Sequence, residues 1–487
     1  MIAAPEYVAT IGLEVHVELA TRTKMFCGCS VAFGGAPNSR VCPVCLGHPG
    51  TLPVPNEAAL SFAIKIALAL GCEIAPFSVF HRKNYFYPDM PKNYQISQYD
   101  APIGVGGFLD IEVDGVSRRV GITRVHLEED TGKTVHVGGG GRIHEAEYSL
   151  EDFNRAGTPL VEIVTEPDMS SPEEARTFAH ELLAILEYLG VSDIRLEEGS
   201  LRFDANISVA RAGERGAKAE VKNMNSLRSL HRALAHETER QGLVLAGGDE
   251  LEQSTRHWDE KAGVTKPMRT KEYAFDYRYF PEPDLVPLRP SPEWLDQLRA
   301  DIPELPAARR RRFLDDLGLS PSDVSLLAST KGIADFYEAA LSDAGRADPK
   351  QVANWVANDL LGRLAERGED VASSGVPPAA LATLVDRVAG GTISGAQAKE
   401  VLAEMVATGR PPGEIIEERG LSQLSDRAAI ESAVAEVVAA NPEVVERIRA
   451  GQDKALGFLV GQVMRATRGR ANPALVNELL RERCRAS

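Results

Sequence analysis

One stretch, residues 11–45, constrains the fold of this chain more than any other. Its first nine residues, IGLEVHVEL, alternate between apolar side chains and side chains that are small or polar. Successive side chains of a strand point to opposite faces, so the alternation predicts a strand with one buried face. The other face carries Glu14, His16 and Glu18, and carboxylates with an imidazole are suitable ligands for a divalent cation. Taken alone, the pattern also fits a polar strand face in solvent.

Four cysteines follow this strand. Cys27, Cys29, Cys42 and Cys45 have the spacing C-x-C-x12-C-x2-C, and two close pairs separated by a loop allow four thiolates to reach one tetrahedral ion. Six cysteines in 487 residues do not make a disulfide framework. We therefore predict a structural Zn²⁺ site in the loop at 27–45. The alternative is a group of thiols without a metal.

Length and charge narrow the class of protein. At 487 residues the chain is too long for one core, which predicts about two to four domains. The net charge of −16 argues against a uniformly basic surface for nucleic acid, but it is compatible with a local basic patch. The start of the chain lacks the apolar segment of a signal peptide, and the apolar run 58–75 contains Lys65 and Glu73. We therefore expect a cytoplasmic protein without a membrane partner.

The order of predicted elements indicates an α+β protein. Strand patterns recur without regular βα alternation up to about Pro290, which favours a mostly antiparallel sheet in a domain at 1–290. Beyond it the patterns are helical and several helices begin at proline, which predicts an all-helical domain at 291–410. The pair Pro411 and Pro412 indicates a linker, and we expect a further helical domain at 411–487.

Acidic residues also occur on other predicted strands of the first domain. Alternating acidic positions on several strands of one sheet converge on one face, which predicts a Mg²⁺ and phosphate site without a common nucleotide motif. Nearby basic residues, His81 to Lys83 and Lys92, are able to neutralise phosphate. The residues that carry this pattern are Glu128, Glu129, Asp130, Asp204, Glu220 and Lys222.

Long motifs then give a specific resemblance. The segments TKMFCGC, VCPVCLGHPGTLPVPN, RKNYFYPDMPKNYQISQYD, RVHLEEDTGK, DFNRAGTPLVEIVTEPDM, GSLRFDANIS and DYRYFPEPDL closely resemble the B subunits of the tRNA-dependent amidotransferases, the GatB family. The resemblance covers about residues 7–483. The C-terminal segment KALGFLVGQVMRATRGRANPALVNELL looks like the helical tail that the family shares with YqeY proteins.

The resemblance implies a function as well as a fold. It implies a cradle-like first domain, a helical domain and a YqeY-like tail, of which the helical domain and the tail would hold the body of the tRNA. The implied reaction uses ATP and Mg²⁺ to phosphorylate the side-chain carboxylate of Glu-tRNA(Gln) or Asp-tRNA(Asn). Ammonia from an amidase-type A subunit then displaces phosphate, giving Gln-tRNA(Gln) or Asn-tRNA(Asn), in a heterotrimer that includes a small C subunit.

The resemblance also implies roles for residues of this sequence. Glu14, His16 and Glu129 are the expected Mg²⁺ ligands, with Asp204 and Glu220 as further catalytic residues and Arg82 and Lys83 as phosphate ligands. The four cysteines match the zinc-containing branch of the family. Residues 138–146 resemble an insertion to which we assign no role.

A rival interpretation is a tRNA-binding scaffold without catalysis, and a second is a metal-dependent nuclease. Local basic groups on the tRNA side would be Arg309–Arg312, Arg465, Arg468 and Arg470.

Overall fold

The computed structural model describes residues 7–138, 146–195, 199–268, 277–421, 427–449, 455–467, 471 and 473–485. The predicted insertion at 138–146 and the tail residues Arg468 and Arg470 therefore lie wholly or mostly outside the described residues. The chain divides into two compact units, Met1–Pro306 and Ala307–Ser487. The helix that follows Pro290 packs against the core of the first unit.

A large sheet forms the frame of the first unit. Its described strands are β1 (Tyr7–Glu18), β2 (Glu73–Ile74), β3 (His81–Asn84), β4 (Tyr94–Ser97), β5 (Gly104–Val113), β6 (Val116–Glu129), β9 (Pro159–Thr165), β10 (Leu201–Arg211), β11 (Ala219–Met224), β12 (Ser254–Asp259), β13 (Val264–Pro267) and β14 (Phe280–Pro281). They have the order β13-β12-β11-β10-β1-β9-β6-β4-β3-β14, with β5 paired to β6 and β2 to β5. Strands β7 (Lys133–Val137) and β8 (Tyr148–Asp152) form a separate hairpin. Only the pair β11–β12 is parallel among these strands, so the α+β prediction with a mostly antiparallel sheet is confirmed.

Strand β1 lies in the middle of the sheet. It pairs with β10 from Tyr7 to Val17 and with β9 from Glu14 to Glu18, so both of its edges are hydrogen-bonded. Its apolar positions are almost fully buried, as the alternation predicts: Ile11, Leu13, Val15 and Val17 are at most 1 % exposed.

Helices cover the apolar face of the sheet. They are α1 (Glu57–Ala69), α2 (Pro172–Leu189), α3 (Leu227–Ala246) and α4 (Pro292–Ala300). Helix α2 begins after the cap Ser171, whose hydroxyl accepts from Glu174 N, and ends at Gly190 with φ of 64°. A tight turn joins β5 to β6, and its residues Asp114 and Gly115 both have positive φ, as a type I′ turn requires.

The second unit consists of helices in the residues that the structure describes. One hydrophobic core lies between Phe313 and Ile416 and another between Ile430 and Cys484. Arg309, one of the predicted basic groups, is buried beside Asp335 and Glu338, so it faces those carboxylates and not solvent.

No helix of the described residues is long and apolar enough to cross a membrane. The helices are α5 (Pro306–Asp315), α6 (Pro321–Leu327), α7 (Lys331–Asp343), α8 (Pro349–Asn354), a π-helical segment (Trp355–Leu360), α9 (Leu361–Arg367), α10 (Pro378–Ala389), α11 (Gly395–Thr408), α12 (Pro412–Glu418), α13 (Arg427–Ala440), α14 (Pro442–Arg449), α15 (Leu456–Ala466) and α16 (Pro473–Arg485).

A buried carboxylate connects α3 to the sheet edge and gives a stability prediction. Glu237 accepts from Thr265 Oγ1 at 2.7 Å and from Gln241 Nε2 at 2.9 Å, and its side chain is fully buried beside Arg240 and Arg256. Burial alone raises the pKa of Glu237, but the hydrogen bonds from Arg240, Gln241 and Thr265 outweigh it and hold the pKa below 4.5. Because the folded pKa is depressed, this stabilisation is present above pH 4.5 and is lost as pH falls through the folded pKa.

We expect Glu237→Gln to lower the free energy of unfolding at pH 7 by about 1–3 kcal/mol. The variant should also lose less stability than the parent chain between pH 5 and pH 3. Urea unfolding followed by circular dichroism measures both effects. Glu239→Gln, at an exposed position of the same helix, is the control. Equal acid sensitivity of the two variants would contradict the assignment.

Candidate active site

The second face of the sheet is polar where β1, β9, β6 and β10 meet. On β1 it presents Glu14, His16 and Glu18. In antiparallel pairs, directly opposed residues share a face. The register places Glu14 opposite Asp204 and His16 opposite both Arg202 and Glu162. Sequence-distant charged groups are therefore brought together by strand pairing.

The first group on this face, the acidic cluster, consists of Glu14, Asp204 and Glu220. One carboxylate oxygen of each lies within 4.8 Å of the others. Lys222 Nζ lies 2.8 Å from Asp204 Oδ2 and 2.8 Å from Glu220 Oε1, and Asn206 Nδ2 donates to Glu14 Oε1 at 2.9 Å. Lys222 thus pairs with two of the three carboxylates, while Glu14 accepts from a neutral amide.

The charge of the acidic cluster fits a divalent cation. Burial raises the pKa of Glu220, but the hydrogen bond and the charge of Lys222 outweigh it and lower the pKa. Among the described residues, Asn206 Oδ1 is buried and has no hydrogen-bond partner, so a neutral oxygen lies beside the carboxylates. An oxygen-rich site with excess negative charge is what Mg²⁺ and Ca²⁺ prefer.

The second group, the histidine cluster, consists of His16, Glu128 and Glu162. Donor atoms of the three lie within 4.8 Å of one another, and His16 Nε2 is 3.6 Å from Glu162 Oε2. Beneath them His126 is 1 % exposed, with Nε2 3.3 Å from Glu162 Oε2 and 3.5 Å from Glu128 Oε1. Two strand steps separate Glu14 from His16, so the two clusters are about 7 Å apart along β1.

The histidine cluster is compensated by its own cations. Burial disfavours a charged His126, but Glu162 and Glu128 outweigh it and raise the pKa of His126 to about 9. The same contacts, with Lys83, keep the pKa of Glu128 low. Lys83 Nζ is 3.9 Å from Glu128 Oε1, and the guanidinium of Arg124 is 3.9 Å from Glu162 Oε1. This cluster combines two carboxylates with three cationic side chains, so it is able to contact both a cation and a phosphate.

The predicted site residues fall into three places. Glu14, Asp204 and Glu220 meet in the acidic cluster, and His16 and Lys83 belong to the histidine cluster. Glu129 lies elsewhere, because its carboxylate points to the opposite face of β6, where it pairs with Lys92 and accepts from Ile96 N at 3.0 Å. Arg82 also lies on that side and pairs with the buried Glu282 at 2.6 and 2.8 Å. Arg82, Lys92 and Glu129 border a cavity of about 230 Å³ beside the cysteine loop.

The histidine cluster contains His126 and Glu162, which the sequence prediction missed, and Glu128, which it named as an acidic strand residue but did not assign as a ligand. The sequence of β6 indicates the position of two of them, because His126 and Glu128 alternate with the apolar Val125 and Leu127 and therefore lie on the polar face. Glu129 lies two residues after Leu127, so the same alternation places it on the face of the apolar side chains. Glu162 required the pairing of β9 with both β1 and β6, which a single sequence does not show.

A third group lies at the end of β1. Burial and the neighbouring Asp130 raise the pKa of Glu18 to about 8. Burial also acts on Asp130, but Arg202 and Arg155 outweigh it and lower its pKa to about 2. Arg202 donates to Asp130 Oδ1 at 3.0 Å. The neutral form of Glu18 is therefore favoured beside the ionised form of Asp130.

The four cysteines of the loop at 27–45 come together as their spacing predicts. Their sulfur atoms lie within 4.8 Å of one another, and none forms a disulfide. Four thiols at this separation are able to coordinate one Zn²⁺ tetrahedrally, with Zn–S distances of about 2.3 Å. The hydrogen bond from Cys27 lowers the pKa of Cys45, and the charge of Lys24 adds to the effect, so a thiolate is favoured within the group. The donor set therefore fits zinc.

We expect the purified chain to contain about one zinc per polypeptide. Cys29→Ser should reduce the bound zinc to well below half of that amount, because a tetrahedral thiolate site loses one ligand. Metal analysis after gel filtration measures the stoichiometry. Cys72→Ser, which changes a buried thiol outside the loop, is the control. Stable parent protein without zinc would refute the metal site.

Comparisons with known proteins identify relatives along almost the whole chain. Residues 9–296 match the profile of the GatB/GatE catalytic domain, and residues 335–484 match that of the GatB domain. The chain is 56 % identical over 480 residues to the B subunit of the aspartyl/glutamyl-tRNA(Asn/Gln) amidotransferase from Moorella thermoacetica, covering 98 % of this chain and 100 % of the relative. It is 53 % identical to the protein of the same name from Carboxydothermus hydrogenoformans, covering 98 % and 99 %.

Proposed function

This chain belongs to the GatB family of amidotransferase B subunits, and we propose that it carries out the ATP-dependent amidation step on mischarged tRNA. In the proposed reaction, the side-chain carboxylate of Glu-tRNA(Gln) or Asp-tRNA(Asn) attacks the γ-phosphorus of ATP, which gives an acyl phosphate and ADP. Ammonia then attacks the acyl carbon and phosphate leaves, so the product is Gln-tRNA(Gln) or Asn-tRNA(Asn).

The observation that carries this proposal is the pair of clusters on one polar face. Phosphoryl transfer depends mainly on positioning and on neutralising charge. The acidic cluster has three carboxylates beside one lysine, and the histidine cluster offers cationic groups about 7 Å further along β1. A nucleotide needs both kinds of group, since its phosphates are anionic and its bound metal is cationic.

We assign the Mg²⁺ first to Glu14, Asp204 and Glu220, because their summed negative charge exceeds the positive charge of the neighbouring Lys222. His16 with Glu128 and Glu162 offers a second set of donors. When bound, Mg²⁺ neutralises the phosphate oxygens and polarises the phosphorus. Lys83 and Arg124 are positioned to contact phosphoryl oxygens near Glu128 and Glu162.

The proposed partners follow from the family. The relatives are named as B subunits, and we propose that this chain works with an amidase-type A subunit and a small C subunit in a heterotrimer in the cytoplasm. The A subunit supplies ammonia from glutamine, so this chain needs no acyl-enzyme nucleophile of its own. The predicted division at 1–290, 291–410 and 411–487 remains part of the proposal, with the two helical parts holding tRNA.

We expect Glu14→Gln to reduce Gln-tRNA formation by the reconstituted heterotrimer on the order of 100-fold, a typical effect of losing one group that stabilises charge in a transition state. Glutamine hydrolysis by the A subunit should persist. Raising the Mg²⁺ concentration should recover part of the lost rate, because the variant binds the cation more weakly. The measurement is the conversion of Glu-tRNA(Gln) at several Mg²⁺ concentrations.

The control for this experiment is Glu112→Gln, at an exposed carboxylate of β5, which should behave as the parent. An unchanged amidation rate in Glu14→Gln would remove the acidic cluster from the reaction. It would favour instead a tRNA-binding role without catalysis. Cleaved tRNA after incubation with Mg²⁺ alone would point to a nuclease.

A double-mutant cycle tests which glutamate acts with His16. We expect His16→Ala and Glu162→Gln to be non-additive in the amidation rate, because the two side chains are in contact. His16→Ala and Glu129→Gln should be nearly additive, since Glu129 points to the other face of β6. Residues in contact typically show coupling of about 0.5–3 kcal/mol. Stronger coupling of His16 to Glu129 than to Glu162 would contradict the arrangement.

A further inference from the structure

Lys24 is a buried lysine beside the cysteine cluster. The residue is 1 % exposed and is among the largest fully buried side chains of the described chain. Its Nζ lies 3.6 Å from Cys45 Sγ and donates to Phe153 O at 3.0 Å. No carboxylate among the described residues forms an ion pair with it, in contrast to Lys92 in the same cavity wall, which pairs with Glu129.

The backbone holds Lys24 close to the loop that carries the thiols. Lys24 N donates to Cys29 O at 2.9 Å, and Thr23 pairs with Ser30 in an isolated bridge. On the other side, the amide of Asn56 donates to Lys24 O at 3.3 Å. The backbone of Lys24 is therefore held to the segment that carries Cys29, while its ammonium group contacts Cys45 of the other cysteine pair.

Gly157 lies beside this contact. Gly157 has φ of 86°, and a Cβ there would lie 3.4 Å from Lys24 Cδ and 3.7 Å from Cys45 Cβ. Met25 N donates to Gly157 O at 2.7 Å. The chain around Gly157 thus packs closely against both the lysine stem and the cysteine that the lysine approaches.

The charge of this lysine requires a partner. Transfer of an ammonium group out of water is costly unless an anion compensates for it. Four thiolates around Zn²⁺ carry a net charge of −2, and the sulfur nearest to Lys24 belongs to that group. We propose that Lys24 is the outer-sphere counter-charge of the zinc cluster, where it lowers the cost of holding four thiolates together. This inference rests on the proposed zinc site.

The test is a zinc competition assay on the full chain. A chromophoric chelator is titrated against the zinc-loaded protein at pH 7, and the variants are Lys24→Met, which removes the charge and the hydrogen bond, and Lys24→Gln, which removes the charge and keeps a donor for Phe153 O. We expect both variants to bind zinc at least about tenfold more weakly than the parent, within the range found for outer-shell partners of metals.

Lys92→Met is the matched control, because it removes a nearly buried lysine from the same cavity whose partner is Glu129. It should keep the zinc affinity of the parent. Parent affinity in both Lys24 variants would overturn the inference. A parent chain that never binds zinc would refute the zinc site itself, so the two failures are distinguishable.

A purely structural role for Lys24 gives a different result. Thermal unfolding of the zinc-loaded and zinc-free proteins separates the two roles, because a counter-charge to the metal acts mainly in the loaded form. We expect the gain in midpoint temperature on zinc loading to be smaller in Lys24→Gln than in the parent. An equal gain in both, with only a lower midpoint in the variant, would assign Lys24 to packing alone.

Discussion

The pairing of β1 on both edges is the constraint on which the first unit depends. Hydrogen bonds to β10 and β9 fix the register of the strand, and the burial of Ile11, Leu13, Val15 and Val17 fixes which face is apolar. A shift by one residue would place these side chains in solvent and Glu14 and His16 in the core. The hydrophobic effect that stabilises the sheet therefore also determines where the polar groups of the opposite face lie.

The two clusters on that polar face differ in how fully their charges are compensated within the protein. The buried groups Glu128, Glu162 and His126 compensate one another, as buried charges must. Glu14, Asp204 and Glu220 are half-exposed, and one lysine offsets their charge only in part. Solvent makes an incomplete balance tolerable there. The charges of the histidine cluster are therefore compensated within the protein, whereas those of the acidic cluster are compensated fully only when a cation binds. This difference supports our assignment of the cation to the acidic cluster.

The sequence predicted the elements better than the site. Local periodicity is enough to place β1 and the change from strand to helical patterns near Pro290, because each depends on neighbours in the chain. The cysteine cluster was also predictable, since its ligands are close in sequence. Glu162 was not, because its position beside His16 depends on the pairing of strands separated by more than a hundred residues. Glu129 was grouped with His16 on the family resemblance, although the alternation along β6 assigns that place to Glu128.

The contrast between Glu128 and Glu129 connects the two sides of the sheet. These neighbours point to opposite faces of β6, one to the histidine cluster and the other to the cavity beside the cysteine loop. Ser97 Oγ donates to Glu128 Oε1 at 2.8 Å, while Ile96 N donates to Glu129 Oε1, so β4 holds both carboxylates with adjacent residues. Two neighbouring residues of one strand thus place one carboxylate on the polar face and the other beside the cysteine loop.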